Sequence, residues 1–346
     1  MIRLKSREGV IWRGLMTGAA VLALSACAPH MQTAMTPPAS FAGPQIVERG
    51  HGLGEFIVQD GARLPFRRWA PEGPPKAVII ALHGFNDHSS SWRMAGPWWA
   101  VQGIEVWAYD QRGFGAAPNK GEWSDPELSR EDLRTVTALI RSQRPDLRIA
   151  IAGESMGGAL AISAFASQRP PAADKLILLA PAVWGWSNQN PVNRVALWAG
   201  GRFLGSRRIE PPSFAVRHVR ATDNLVELLR NGSDPRFILD TRIDALHGLV
   251  SLMEEGANGL GSVRVPTLLA YGAHDMIVPR KAMRNTLQRA GEREGFVTAY
   301  YPDGWHILNR DMEAQRLFAD VDAWLMGEGL PSQPQPVLHA LLNNDK

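Results

Sequence analysis

Only one cysteine, Cys27, stands in the 346 residues. No intrachain disulfide can form, and no His/Cys set has the spacing of a metal site, so neither cross-links nor a bound metal is expected to hold the fold. An excess of one charge sign is also missing. Lys and Arg number 37 against 34 Asp and Glu. The small surplus sits in the first 26 residues, where Arg3, Lys5, Arg7 and Arg13 face Glu8 alone. The remainder is balanced, which argues against a nucleic-acid-binding surface. No apolar run reaches the roughly 20 residues that cross a bilayer. Internal repeats are absent. With 45% hydrophobic and 21% charged residues the chain is not a disordered one.

What is present begins with an export signal. The basic stretch is followed by a short apolar run over 15–24 and then by Leu24-Ser25-Ala26-Cys27. This pattern resembles the lipobox of bacterial lipoprotein signals. It implies cleavage before Cys27, acylation of that residue, and export to a membrane-anchored position. Ala28 after the cysteine resembles the outer-membrane sorting pattern, on the periplasmic side. An ordinary signal peptide or an uncleaved anchor is the competing reading.

The sequence divides into a signal peptide over 1–26, a Pro/Ala-rich tether over 27–50, and a core over 51–182 and 243–328. A lid is inserted over 183–242, and a loose tail follows over 329–346, where 337–342 could form a short apolar turn. The core alternates strands with helices. Segments 55–59 and 64–69 flank Asp60-Gly61, a hairpin signal. Short apolar runs over 77–82, 105–109, 148–152, 175–179, 267–271 and 298–301 suit a parallel sheet covered on both faces. Helical spacing is read over 130–144, 155–167 and 311–325. The expected architecture is a doubly wound, mostly parallel α/β sheet with an inserted helical lid. About 85 residues separate the runs near 179 and 267, more than one crossover helix needs. This interval is rich in Trp, Phe, Pro and Gly and carries the lid, before a core helix returns near 243–255.

Gly153-Glu154-Ser155-Met156-Gly157-Gly158 follows an apolar strand and opens a helix. That setting turns a weak Gly-x-Ser-x-Gly pattern into a candidate nucleophile turn, with Ser155 above the sheet edge and backbone N–H groups beside it. A serine needs a base, and the base an orienting acid. Among the downstream histidines, His306 is the one in the loop between the last predicted strand and the final helix, in Pro302-Asp303-Gly304-Trp305-His306. Asp275, in the turn after the preceding strand, suits the acid role; Asp303 is the competitor and is expected instead to cap the following turn. Leu82-His83-Gly84-Phe85-Asn86 ends the strand over 77–82. The Phe85 and Met156 amides are the expected oxyanion donors. His83 is read as fixing the loop, and His88 as a neighbour of the pocket.

Taken together, His83-Gly-Phe-Asn-Asp-His88-Ser89, Tyr109-Asp-Gln-Arg-Gly-Phe-Gly115, Gly153-Glu-Ser-Met-Gly-Gly158, Gly272-Ala-His-Asp275 and Trp305-His306 resemble the monoacylglycerol lipase/lysophospholipase branch of α/β-hydrolases. The resemblance spans about residues 50–328. It implies Ser155 as nucleophile, Asp275 as acid, His306 as base and a lid over an acyl pocket; Asp110 and Arg112 match a structural turn. Phe114 stands where a His is common, and Ala116-Ala117-Pro118 where a Ser usually follows. The expected activity is cleavage of lipid-like carboxylic esters with no cofactor. Alternatives are a short-chain esterase, a small-amide peptidase, or a non-catalytic hydrolase-like lipoprotein.

Overall fold

The computed structural model describes residues 29–210 and 219–343. The expected signal peptide and Cys27 lie outside the described residues.

Nine strands form the main sheet. In chain order they begin with β1 (Gln45–Gly50), β2 (Leu53–Ile57), β3 (Arg63–Trp69), β4 (Ala77–Leu82) and β5 (Ile104–Tyr109). They continue with β6 (Arg148–Glu154) and β7 (Lys175–Leu179). Two-residue β8 (Arg208–Ile209) and β9 (Thr241–Arg242) pair with each other apart from it, before β10 (Thr267–Gly272) and β11 (Phe296–Tyr301) complete it. The spatial order is β1-β2-β3-β5-β4-β6-β7-β10-β11. β1, β2 and β3 run antiparallel to their neighbours, and every pairing from β5 to β11 is parallel. The hairpin at Asp60-Gly61 forms as expected, with Gly61 at φ +78° in its turn.

The parallel strands are apolar on both faces because helices cover both. On one side, Ile79, Val106 and Ala270 pack with Trp92, with Trp99 of α1 (Ala95–Val101), and with Phe318. On the other, Val78, Ile80 and Leu82 meet α2 (Pro126–Gln143) and α3 (Met156–Phe165). α2 starts a turn earlier than its apolar spacing suggests. Asp125 accepts hydrogen bonds from Glu127 N at 2.9 Å and Leu128 N at 3.3 Å, and Pro126 takes the first helical position.

Residues 183–242 hold α4 (Pro191–Phe203) and α5 (Leu225–Ser233). α6 (Ile243–Gly259) then returns to pack on α3. The core continues with α7 (Arg280–Ala290) and α8 (Ala314–Met326), whose Phe318 was met above. Two expectations at the ends need correction. The described part of the 27–50 tether does not stand off from the core. Gln32 N donates to Trp123 O at 2.8 Å, Met35 N donates to Asp60 Oδ2 at 2.7 Å, and 45–50 extend the sheet as β1. A Pro-rich chain keeps backbone donors between its prolines, and an open sheet edge accepts them. The tail is not loose either: α9 (Val337–Asn343) buries Val337, Ala340 and Leu341 against β11 and α7.

Candidate active site

Ser155 sits between β6 and α3 at φ +50°, ψ −111°, a backbone conformation that crowds a side chain. The turn closes only because its neighbours lack Cβ atoms. A Cβ on Gly153 would lie 2.5 Å from Gly157 O, and one on Gly157 would lie 2.5 Å from Leu82 O. The glycines thus press the Ser155 turn against the ends of β4 and β6.

His306, in the loop between β11 and α8, comes back over this rim. Its Nε2 lies 2.9 Å from Ser155 Oγ, and its Nδ1 lies 2.9 Å from Asp275 Oδ2. Asp275 is held in turn: its Oδ1 accepts from Ile277 N at 2.8 Å and Val278 N at 2.9 Å. With Nδ1–H donating to the carboxylate, Nε2 is free to accept the serine proton. The loops carrying Asp275 and His306 approach closely at Gly272, where a Cβ would fall 2.4 Å from both Gly304 O and Trp305 O. The His306 ring is buried, which opposes its charging. The Asp275 charge and hydrogen bond, with more distant Glu154 and Asp311, outweigh that and raise its pKa above the usual imidazole value. Behind the loop, Asp311 accepts from Thr222 Oγ1 at 2.6 Å and Trp305 N at 2.7 Å. Burial pushes its carboxyl up to about 7 against those bonds.

The other sequence-derived residues also have definite places. Gly84 brings the loop after β4 to the serine, since a Cβ there would lie 3.6 Å from Ser155 Cβ. Phe85 follows in that loop and Met156 opens α3, and neither amide enters the backbone hydrogen bonds of the surrounding turns. His83 fixes the loop: Nε2 accepts from Gln111 N at 2.9 Å and Nδ1 donates to Gly84 O at 2.8 Å. Arg112 is buried between Asp60 and Asp132, with nitrogen–oxygen distances of 2.7 to 3.1 Å. Asp303 is exposed and pairs loosely with Arg316 at 3.7 Å, so it neither reaches His306 nor caps a turn. His274 stacks on Trp305.

One feature was missed in the sequence. Arg310 is fully buried, and its Nη1 meets Asp87 Oδ2 at 2.8 Å while Nη2 meets Glu154 Oε1 at 2.9 Å. Arg310 thereby ties the loop carrying Phe85 to the residue just before the serine. Burial raises both carboxyls; beside Arg310, Asp87 ends below its usual value, whereas Glu154 stays above. Four residues after His306, Arg310 stands between Asn309 and Asp311 and reads in sequence as one more charge in a polar loop.

Beside Met156 a cavity of about 20 Å³ is lined by Phe114, Trp123, Leu160 and Leu252, space for about one water molecule. Among the described residues, no group of three or more His, Cys, Asp or Glu could hold a metal ion.

A family model described as serine aminopeptidase, S33 (Hydrolase_4) matches residues 73–313. A monoacylglycerol lipase of Mycolicibacterium smegmatis is 23% identical over 283 residues, covering 78% of this chain and 95% of the relative. The monoglyceride lipase of Homo sapiens is 24% identical over 285 residues, covering 79% and 90%. Among solved structures, a thermostable carboxyl esterase from Bacillus coagulans superposes with a TM-score of 0.64 at 19% identity, covering 83% of this chain and 99% of that one.

Proposed function

The chain belongs to the serine aminopeptidase S33 (Hydrolase_4) family of α/β-hydrolases, and on that premise we propose that it is a serine hydrolase of lipid-like carboxylic esters such as monoacylglycerols or lysophospholipids. The observation that carries this reading is the continuous chain Ser155–His306–Asp275, with both links at 2.9 Å. His306 takes the Ser155 proton as Oγ attacks the ester carbonyl, and Asp275 steadies the imidazolium that forms. The Phe85 and Met156 amides face the developing oxyanion. Collapse of the tetrahedral intermediate expels the alcohol, protonated by His306, and leaves an acyl-enzyme that water hydrolyses in a second round.

The lipid part of the reading draws on the monoacylglycerol lipases among the relatives and on the lid. α4 leaves Val192, Val195, Trp198 and Phe203 exposed, an apolar surface suited to an aggregated substrate. The esterase among the structural neighbours supports a second reading, in which short acyl chains are preferred. Acylation of Cys27 and anchoring on the periplasmic side of the outer membrane complete the proposal, resting on the lipobox-like sequence.

A fluorophosphonate probe tests the core of it. The protein should label at Ser155, and Ser155→Ala should abolish labelling and lower ester turnover by about 10⁴-fold or more. A variant that keeps most of its activity would remove the nucleophile from the scheme. A panel of monoacylglycerols, lysophospholipids and p-nitrophenyl esters separates the readings, because activity confined to acetate would leave only the short-chain one.

A further inference from the structure

Four guanidinium groups converge on a cleft of about 310 Å³ apart from the serine. Arg67 and Trp69 enter it from β3, Arg93 from the turn after Trp92, Arg230 from α5, and Arg236 from the loop that follows. The cleft lining contains one carboxylate, Asp234, and it is already engaged: Arg236 Nη2 donates to it at 2.8 Å and His88 Nε2 at 3.1 Å. Glu227, buried nearby, takes Arg93 and Arg230. Arg67 has no hydrogen-bonded carboxylate among the described residues. Asp234 and Glu227 are thus the carboxylates in direct contact with these four cations among the described residues, while Asp110 acts on Arg67 and Arg236 and Asp87 and Glu154 act on Arg93 without a hydrogen bond.

The cations also feel one another. Burial, then the Arg236 charge, holds Arg67 below the usual guanidinium pKa. Burial, with Arg310 and Arg230, lowers Arg93 to about 10. All four stay charged at neutral pH, so they repel one another across the cleft. A compact ligand with two negative charges and several acceptor oxygens would offset it, and the planar fork of Arg matches phosphate oxygens in pairs.

We infer that this cleft is a binding site for a phosphate group, built by Arg67, Arg93, Arg230 and Arg236 beside the Trp69 ring. The phosphate has two chemical sources, a lipid head group lying along Trp69 or free phosphate. Neither involves Ser155, so the site stands independently of the ester-hydrolase reading.

Calorimetric titration of the full chain carrying Ser155→Ala, which prevents turnover, tests it with inorganic phosphate and with dihexanoyl phosphatidic acid, against sodium chloride at matched ionic strength. Saturable binding of either phosphate probe is expected, weakened about tenfold or more by Arg67→Gln with Arg230→Gln. Tighter binding of the lipid assigns the site to head groups, and equal binding assigns it to phosphate alone. Failure of both probes to bind at millimolar concentration, or equal affinity in the double variant, overturns the proposal. Should the double variant melt early, Arg67→Gln alone replaces it, because that side chain holds no structural ion pair. In the Ser155 background both variants should hydrolyse p-nitrophenyl acetate like the parent, which separates loss of the anion site from loss of the catalytic one.

Discussion

Burial alone would hold the His306 ring neutral to lower pH than free imidazole, and the adjacent Asp275 reverses that. The consequence is an acid limb. His306 must be neutral to accept the serine proton, so kcat/KM should fall as pH drops through a value above 6.5, higher than an isolated histidine would give. In Asp275→Asn the raising charge is gone while burial remains. The limb should move to lower pH, and kcat should fall by about 10⁴ because the ring loses its tautomer and orientation. A limb that stays in place in this variant would separate the titration from His306. Arg310 acts at the same scale by another route. Replacing it with Met leaves Asp87 and Glu154 buried without their cation, a loss of about 3–5 kcal/mol that urea unfolding would measure. Adding Asp87→Asn and Glu154→Gln to Arg310→Met should recover much of that stability. Activity should stay low, because the tether between the oxyanion loop and the nucleophile turn is still missing.

Among the elements, the buried parallel strands were legible because a strand covered on both faces is a plain apolar run, as in Ala77–Leu82. The nucleophile turn was legible because Gly153 and Gly157 stand where the backbone of β4 and α3 leaves no room for a Cβ. α1 was missed: seven residues with an internal Gly-Pro and two tryptophans carry little helical spacing, and the helix is held by Trp99 and its burial rather than by propensity. Arg310 was missed for a different reason, since its partners lie 223 and 156 positions away in sequence and only the fold brings them together. β1 and α9 fell in segments read as loose because prolines precede each, yet each gains from a surface already built. For α9 this can be measured. Deleting 337–346 exposes the places of Val337 and Leu341, and at about 1.5–3 kcal/mol for each buried side chain the chain should lose about 3–6 kcal/mol. Unchanged unfolding of the truncated protein would return α9 to the status of an appendage.

At the scale of the whole molecule, the proposed function divides labour among the Ser155–His306–Asp275 rim, the exposed helix α4 and the lipobox-like sequence at Cys27. Among the described residues no helix is long and apolar enough to cross a membrane; in the proposed scheme acyl chains at Cys27 would supply the attachment, each buried methylene contributing about 0.8 kcal/mol. The second surface in the proposal is the lid face, where Trp198 and Phe203 are 52% and 64% exposed on α4; it would meet an aggregated substrate rather than anchor the protein. Two variants should therefore fail differently. Cys27→Ser should leave the membrane fraction and still turn over a dissolved p-nitrophenyl ester at the parent rate. Trp198→Ser with Phe203→Ser should stay with the membrane, keep that same rate, and slow several-fold on long-chain monoacylglycerol presented in vesicles. Fractionation followed by the two assays reads both results, and an equal loss on dissolved and vesicle-borne esters in the lid variant would place those side chains in the fold's stability rather than at the substrate interface.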